Sequence, residues 1–347
     1  QGTVVVDSTA DRSRARVDLR SRILRLADLG ARAAGREPPH QGPPLLLSDA
    51  AFNAKGVRRG DAVVTFHAQH VEAGRLDLTS VAGDMTIDHG VIAISPLSAA
   101  LLQGKLTGRA RVDATRDPPL ADFDLKTSGL EIGDWPRKDG KPMGLQGLVQ
   151  ARARGNGRGV SIHQIAASSN GTLTAVLPHG SIRSSLAEMA GLDLKGLLNA
   201  KSQDETGVRC GAASFEAHEG TLAAKTLLLD TDPVLISGSG TIRLDTEALD
   251  LALRGRPKAV RLFHVRAPLR IEGTLAHPSV SVEAQKSAGQ AAAAVALGAI
   301  LTPLAAALAF VDPGLAKNAD CAALLSSADP DAAPPPERPP GRTRKIN

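Results

Sequence analysis

Short segments of alternating apolar and polar residues follow one another from residue 121 to residue 283, with turn residues between them. In the first of these segments, Ala121, Phe123 and Leu125 fall on one face of a strand and charged side chains fall on the other. The same pattern returns at residues 249–254, 269–272 and 279–282. Strands that repeat about every 8–12 residues predict either a long antiparallel meander or a two-sheet β-sandwich.

The composition favours a sheet that stays open. The 347 residues include no Tyr, one Trp and six Phe, whereas sandwich cores usually rely on large aromatic side chains between their two sheets. An antiparallel sheet can leave one face wet, so its aliphatic face can meet a ligand instead of protein. We therefore predict a mainly β fold, an elongated, curved antiparallel sheet that forms an apolar groove. The alternative is that the aliphatic rows pack against each other in a closed core.

An acyl chain is the ligand that such a groove would suit. Burial of one methylene contributes roughly 0.8 kcal/mol, so a tail of about sixteen carbons gains on the order of 12 kcal/mol along a continuous apolar lining. The candidate lining residues are Phe123, Leu125, Ile242, Leu244, Leu249, Leu251, Leu253 and Ile271.

The pattern along the chain divides it into four regions. They are a mixed N-terminal segment (1–60), the repetitive β region (61–283), an Ala-rich C-terminal helical segment (284–325) and a Pro-rich basic tail (326–347). The composition of the tail cannot bury enough apolar surface to order it, so we expect it to be disordered.

Helices are predicted at three places. One short helix is expected near residues 21–35, and another near residues 182–199 interrupts the sheet, because Ile182, Leu186 and Met189 fall at helical spacing. Residues 287–311 carry no charge and are long enough to cross a bilayer, but Ala is their commonest residue and they include a proline. We expect that segment to form a helix that caps the sheet or lies against a membrane, with crossing as the alternative.

Signals for catalysis and for nucleic-acid binding are weak. His67 and His70 are three residues apart on a predicted strand, so they point to opposite faces and do not chelate a metal together. Residues 155–159 are better explained by a hairpin turn than by a phosphate-binding loop. The net charge of +5 comes from scattered Arg residues and the basic tail, without the interleaved aromatic side chains that nucleic-acid binding uses. We predict no enzyme activity, catalytic residue, metal or cofactor.

Two cysteines, Cys210 and Cys321, fit an envelope protein with one disulfide and fit equally a cytosolic protein with two inert thiols. The first residues lack the apolar core of a signal peptide. We expect the chain to be a piece of a longer or processed protein whose targeting segment lies upstream.

Several strings, in order between about residues 20 and 325, resemble the C-terminal half of the AsmA family of bacterial envelope proteins. They are LADLG at 26–30, GVIAISPL at 90–97, GKLTG at 104–108, GLDL at 191–194, VRC at 208–210, GSGTI at 238–242, PLRIEGTL at 268–275 and the Ala-rich stretch that ends at Cys321. The resemblance rests on their order and spacing, since no single string is specific.

The resemblance implies a fold and a role. AsmA-like proteins are similar to bridge-like lipid-transfer proteins, with an elongated groove in the periplasm and an N-terminal helix that anchors them in the inner membrane. It implies non-catalytic binding and transfer of phospholipid acyl chains between the inner and outer membranes, in support of outer-membrane homeostasis. Membrane contact is expected through the Ala-rich C-terminal segment and through an N-terminal anchor that we expect upstream of this sequence. A Cys210–Cys321 disulfide is expected because the periplasm is oxidising.

A structural or assembly role for outer-membrane proteins is the alternative, in which the sheet offers an edge or a face to a client chain. The sequence does not identify protein partners, and it does not specify the lipid.

Overall fold

The computed structural model describes residues 2–7, 13–25, 45–73, 76–134, 144–184, 205–259, 269–282 and 316–327. Seventeen strands of one sheet make up most of this part of the chain. The strands are β1 (Gly2–Asp7), β2 (Arg14–Arg25), β3 (Asp61–Ala73), β4 (Leu76–Asp88), β5 (Val91–Leu101), β6 (Gly104–Asp113), β7 (Leu120–Glu131), β8 (Leu145–Gln146), β9 (Leu148–Arg158), β10 (Asn170–Leu177), β11 (Gly180–Arg183), β12 (Glu205–His218), β13 (Thr221–Thr231), β14 (Val234–Arg243), β15 (Ala248–Pro257), β16 (Leu269–Thr274) and β17 (His277–Val282). The described helices are α1 (Ala54–Arg59), α2 (Ile162–Ala167), α3 (Cys321–Ser327) and a 3₁₀ turn at Ile132–Asp134.

The strands follow one another as a meander. From β3 to β7 each strand pairs antiparallel with the next, and β7 then pairs with β9. The meander continues from β9 to β10 to β12, and from there strand by strand to β17, while short β8 and β11 pair beside it. The prediction of a mainly β, open sheet is confirmed.

One strand pair departs from the predicted antiparallel pattern. β2 pairs parallel with β3, and β1 pairs antiparallel with β2. A parallel pair needs a connection of a dozen residues or more that returns the chain to the same end of the sheet. The long connection between Arg25 and Asp61 meets that need, so the sheet is mixed.

The predicted helices fare differently. The helix expected near residues 21–35 is wrong for residues 21–25, which belong to β2, where half-buried and exposed side chains largely alternate. Gly180–Arg183 forms β11, in which Ile182 is buried and pairs with β8 and β12. Residues 26–35 of the first predicted helix and residues 185–199 of the predicted interrupting helix lie outside the described residues. So do residues 287–311 and the tail from residue 328 onward.

The C-terminal helix lies on the sheet and is covalently attached to it. Cys210 in β12 and Cys321 at the start of α3 form a disulfide with a Cα–Cα distance of 5.8 Å. Leu324 and Leu325 of α3 pack against Val176 and Ala212. The fully buried Asp230 accepts a hydrogen bond from the Ala319 backbone N–H at 3.0 Å and forms ion pairs with Arg209 and Lys258. This helix is therefore fixed to one face of the sheet.

Residues 45–60, which we call the rim strap, run along one end of the strands. The Leu46 and Leu47 N–H groups donate to the carboxylate of Glu247 at 2.5 and 2.7 Å, and Glu247 is fully buried. Next along the strap, Asp49 lies 2.8 Å from Nδ1 of His163 in α2. At its far end, Arg58 of α1 donates to the Ala114 carbonyl in the β6–β7 turn. The rim strap thus joins the β14–β15 turn, helix α2 and the β6–β7 turn.

The face of the sheet that carries α3 is polar over its central strands. Arg152 in β9 donates to both carboxylate oxygens of Asp124 in β7, each at 2.7 Å. The hydrogen bond from Arg152 lowers the pKa of Asp124 below its ordinary value of 3.8, against a smaller opposing effect of burial. Both side chains are only about a fifth exposed (20% and 18%), so the pair is partly shielded from solvent.

Loss of the disulfide is expected to weaken the fold. The bond spans 111 residues, so the double substitution Cys210→Ser and Cys321→Ser should lower the free energy of unfolding by up to about 4–5 kcal/mol. Denaturant unfolding of the variant should coincide with that of reduced wild-type protein. Equal midpoints for the variant and for oxidised wild type would contradict a stabilising role.

The ion pair of Asp124 should give a pH-dependent contribution to stability. A carboxylate with a lowered folded-state pKa stabilises the fold above its unfolded pKa, and that contribution is lost as the pH falls through the folded value. We expect Asp124→Asn to lower the free energy of unfolding at pH 7 by about 1.5–3 kcal/mol. The difference should disappear in acid, well below pH 3.8. The control is Asp122→Asn, at an exposed position of the same strand, which should cost little at any pH.

Candidate functional site: an apolar floor

The pairing register places apolar side chains on one face of the sheet from its first strand to its last. Directly paired residues, one from each of the fifteen long strands, form a row without a charged or polar side chain. We call this the apolar row, and together with its same-face neighbours the apolar floor. The row consists of Val4, Val17, Val64, Met85, Ile94, Ala110, Phe123, Gly155, Gly171, Ala217, Leu222, Ile242, Leu249, Gly273 and Pro278.

A second row runs beside the first, two residues away along each strand except in β5, where a bulge makes the offset three residues. It crosses from β1 to β13 and is also composed of apolar residues and glycines. Its members are Gly2, Leu19, Phe66, Gly83, Leu97, Gly108, Leu125, Ala153, Leu173, Phe215 and Ala224. The apolar floor is therefore at least two residues wide over most of the sheet.

The predicted lining residues all lie on this floor or at its border. Ile242, Leu249, Leu251 and Ile271 contact one another in a cluster that also includes Phe215 and Leu222. Leu244 packs against the same cluster from the β14–β15 turn, and Leu253 belongs to the next cluster along. Phe123 and Leu125 lie in β7, near the middle of the sheet and apart from the other six.

Sequence reasoning missed the part of the floor in the first strands. Val17, Val64, Met85 and Ile94 continue the row from β2 to β5. The signal was weaker there, because residues 62–64 and 91–94 are unbroken runs of apolar residues. A local pattern also does not identify the residue on the neighbouring strand with which each of these residues pairs.

Most floor side chains are half-buried. Phe123, Leu125, Leu249, Leu253 and Ile271 fall in this class, while Ile242 and Leu251 are each 8% exposed. A sandwich core would bury all of them against a second sheet. Every described strand belongs to the same sheet. In the described part of the chain, the floor is therefore one face of a single layer.

Glycines on the floor lie opposite large side chains. A Cβ on Gly83 would be 3.0 Å from the Phe66 ring, and one on Gly108 would be 2.9 Å from Leu125. A Cβ on Gly238 would be 2.5 Å from Leu227 and 2.6 Å from Leu253. The large side chains therefore occupy the space above the glycines, so they project less from the surface of the floor.

Two clusters of possible metal ligands occur in the described residues, and both have simpler explanations. Cys210 and Cys321 beside Asp230 are joined in the disulfide. In the other cluster, Asp61 accepts the His89 N–H at 3.0 Å, and Asp88 lies 2.6 Å from Nδ1 of the same His89. That cluster is explained as the stabilisation of the β4–β5 turn.

Among the described helices, none combines the length and the hydrophobicity needed to cross a bilayer.

The sequence of the chain was compared with known proteins. It is 25% identical over 344 residues to the AsmA family protein YhjG of Escherichia coli (strain K12), an alignment that covers 94% of this chain and 50% of the relative. The chain thus spans about half the length of that relative. No solved structure matches it significantly. The family model described as AsmA family matches residues 46–227, more than half of the chain, which therefore belongs to the AsmA family.

Proposed function

We propose that the apolar floor binds the acyl chains of phospholipids and conducts them across the periplasm between the inner and outer membranes, without catalysis, in support of outer-membrane homeostasis. Family membership associates the chain with the cell envelope. The observation that carries the lipid proposal is the uninterrupted apolar row, which crosses from β1 to β17 without a charged side chain. A compact ligand site would not need an apolar surface of that extent.

The length of the row suits a series of lipid tails. Neighbouring strands lie about 4.8 Å apart, so a row across fifteen strands extends roughly 65–70 Å. That is about twice the 30 Å hydrocarbon core of a bilayer. Tails lying across the strands therefore have a continuous apolar surface along which to move. An inner-membrane anchor, and membrane contact through residues 284–325, are part of the same proposal for the full-length protein.

A role in assembly of outer-membrane proteins is the second candidate. The edge strand β1 favours it, because Val4, Val5 and Val6 are each about 60% exposed (62%, 60% and 61%). An exposed apolar edge strand can pair with a strand of a client protein. That feature is confined to one edge, whereas the apolar row crosses the whole sheet, so lipid binding accounts for more of the structure.

A charge on the floor should expel lipid. Ile271 is half-buried on the floor, so Ile271→Glu can stay hydrated when lipid is absent but lies against acyl chains when lipid is bound. A charge among acyl chains costs roughly 2.5–3.5 kcal/mol, which corresponds to about a hundredfold loss of occupancy. The measurement is co-purified phospholipid per mole of protein, by lipid extraction and mass spectrometry, with circular dichroism and melting curves.

The matched control is Ser281→Glu, which adds the same charge on the opposite face, beside Arg270. It should leave the lipid content unchanged. A folded Ile271→Glu variant that carries as much lipid as wild type would disprove the floor as the binding surface.

Filling a glycine should make the floor shallower. In Gly238→Ala the three atoms nearest to the new methyl group belong to the side chains of Leu227 and Leu253, so we expect these side chains to move up into the groove at a stability cost of about 1–3 kcal/mol. Lipid content should fall while the sheet persists. Gly60→Ala is the control, since its nearest neighbour, the Ser13 carbonyl oxygen, is 3.5 Å away. Equal lipid content in the two variants would show that floor depth does not limit binding.

A further inference from the structure

The ladder of three adjacent strands is interrupted at the same level. Ser21 pairs with Ala68 and Ile23 pairs with His70, but the register passes over Arg22 and Gln69 between them. The β3–β4 register passes over Gln69 and Ser80 in the same way. Ser80 has a φ of 49°, in the left-handed region that a residue with a side chain rarely adopts. Such irregular sites cluster where proteins bind ligands.

The interruption forms a cleft of about 680 Å³ on the polar face. Its lining includes Arg20, Arg22, His67, Gln69 and Ser80. Each of these side chains can donate a hydrogen bond. Among the described residues that line the cleft, none is acidic. A second cleft on the polar face differs, because Asp250 and Glu272 line it beside Arg270.

The chemistry of the cleft fits a phosphate group. Guanidinium groups bind phosphate oxygens through paired, charge-assisted hydrogen bonds, and both Arg20 and Arg22 line the cleft. Imidazole, amide and hydroxyl donors can satisfy the remaining oxygens. Arg20 also forms an ion pair with Asp18, 3.6 Å away, which does not line the cleft. Among the described lining residues, a cation would meet two guanidinium groups and no carboxylate, so the cleft favours anions.

The cleft lies where the floor reaches an edge of the sheet. In the described part of the chain, the pairing of β1 with β2 reaches only to Gly2 and Leu19, so Arg20–Arg25 extend beyond it. Leu19 belongs to the apolar floor, and Arg20 is the next residue on the opposite face. Ile23 beside them is 58% exposed. A lipid at this edge can lay its tails on the floor and turn its headgroup into the cleft.

We propose that this cleft binds the phosphate group of a phospholipid whose tails enter the apolar floor at the β2 edge. The inference rests on the proposed lipid function and adds a headgroup site to it. The cleft then selects lipids that carry a phosphate from those that share only the tails.

The first test is a calorimetric titration of the full chain with inorganic phosphate. Wild type should bind phosphate saturably. The double variant Arg20→Gln and Arg22→Gln should bind it roughly ten- to hundredfold more weakly, since each loses charge-assisted hydrogen bonds. The control is Arg16→Gln, on the same strand and face but outside the cleft. Absence of binding to wild type, or an equal loss in the control, would overturn the proposal.

The second test compares loading with a phosphatidylglycerol and with a diacylglycerol that has the same tails and no phosphate. The double variant should take up less phospholipid and an unchanged amount of diacylglycerol. Ile271→Glu should lower the uptake of both, which separates failure of the headgroup site from failure of the floor. If the double variant loses inorganic phosphate but keeps full phospholipid uptake, the cleft serves a free anion and the headgroup assignment is wrong.

Discussion

The register of the backbone ladder is the constraint on which the rest of the structure depends. A slip of one residue in any strand pair would turn that strand's apolar side chains to the polar face and break the floor. The bulges respect this requirement. Between Ile94 and Leu97, β5 carries an extra residue relative to β6, yet both side chains stay on the floor side, opposite Ala110 and Gly108. Bulges also bend and twist the strands that contain them. The sheet can therefore curve while its apolar side chains stay on one face.

Much of this arrangement could be predicted from single segments of sequence. The alternation at residues 121–126 and 249–254 identified both the strands and the side chains that face the floor. The helix expected near residues 21–35 failed at its start because Ser21–Arg25 satisfies its backbone by pairing with β3, a partner distant in sequence. Local spacing of side chains cannot reveal such a partner.

Other features depend on contacts between distant parts of the chain. The hydrogen bond between Leu46 and Glu247 joins residues 201 positions apart, and no local pattern marks either of them. The glycines opposite Phe66 and Leu125 lie within strands, and the large side chain that each of them meets belongs to a neighbouring strand. The pairing of Cys210 with Cys321 was implied by family resemblance, since two cysteines in any fold are compatible with free thiols.

The rim strap has a mechanical consequence for the groove. Its contacts to Glu247, to His163 and to the Ala114 carbonyl connect two turns and helix α2, which lie between different strand pairs. These contacts oppose separation of the three points, and at Glu247 separation would leave a buried carboxylate without its two N–H donors. We therefore expect any widening of the sheet to be smaller at the strapped ends of the strands than at the opposite ends.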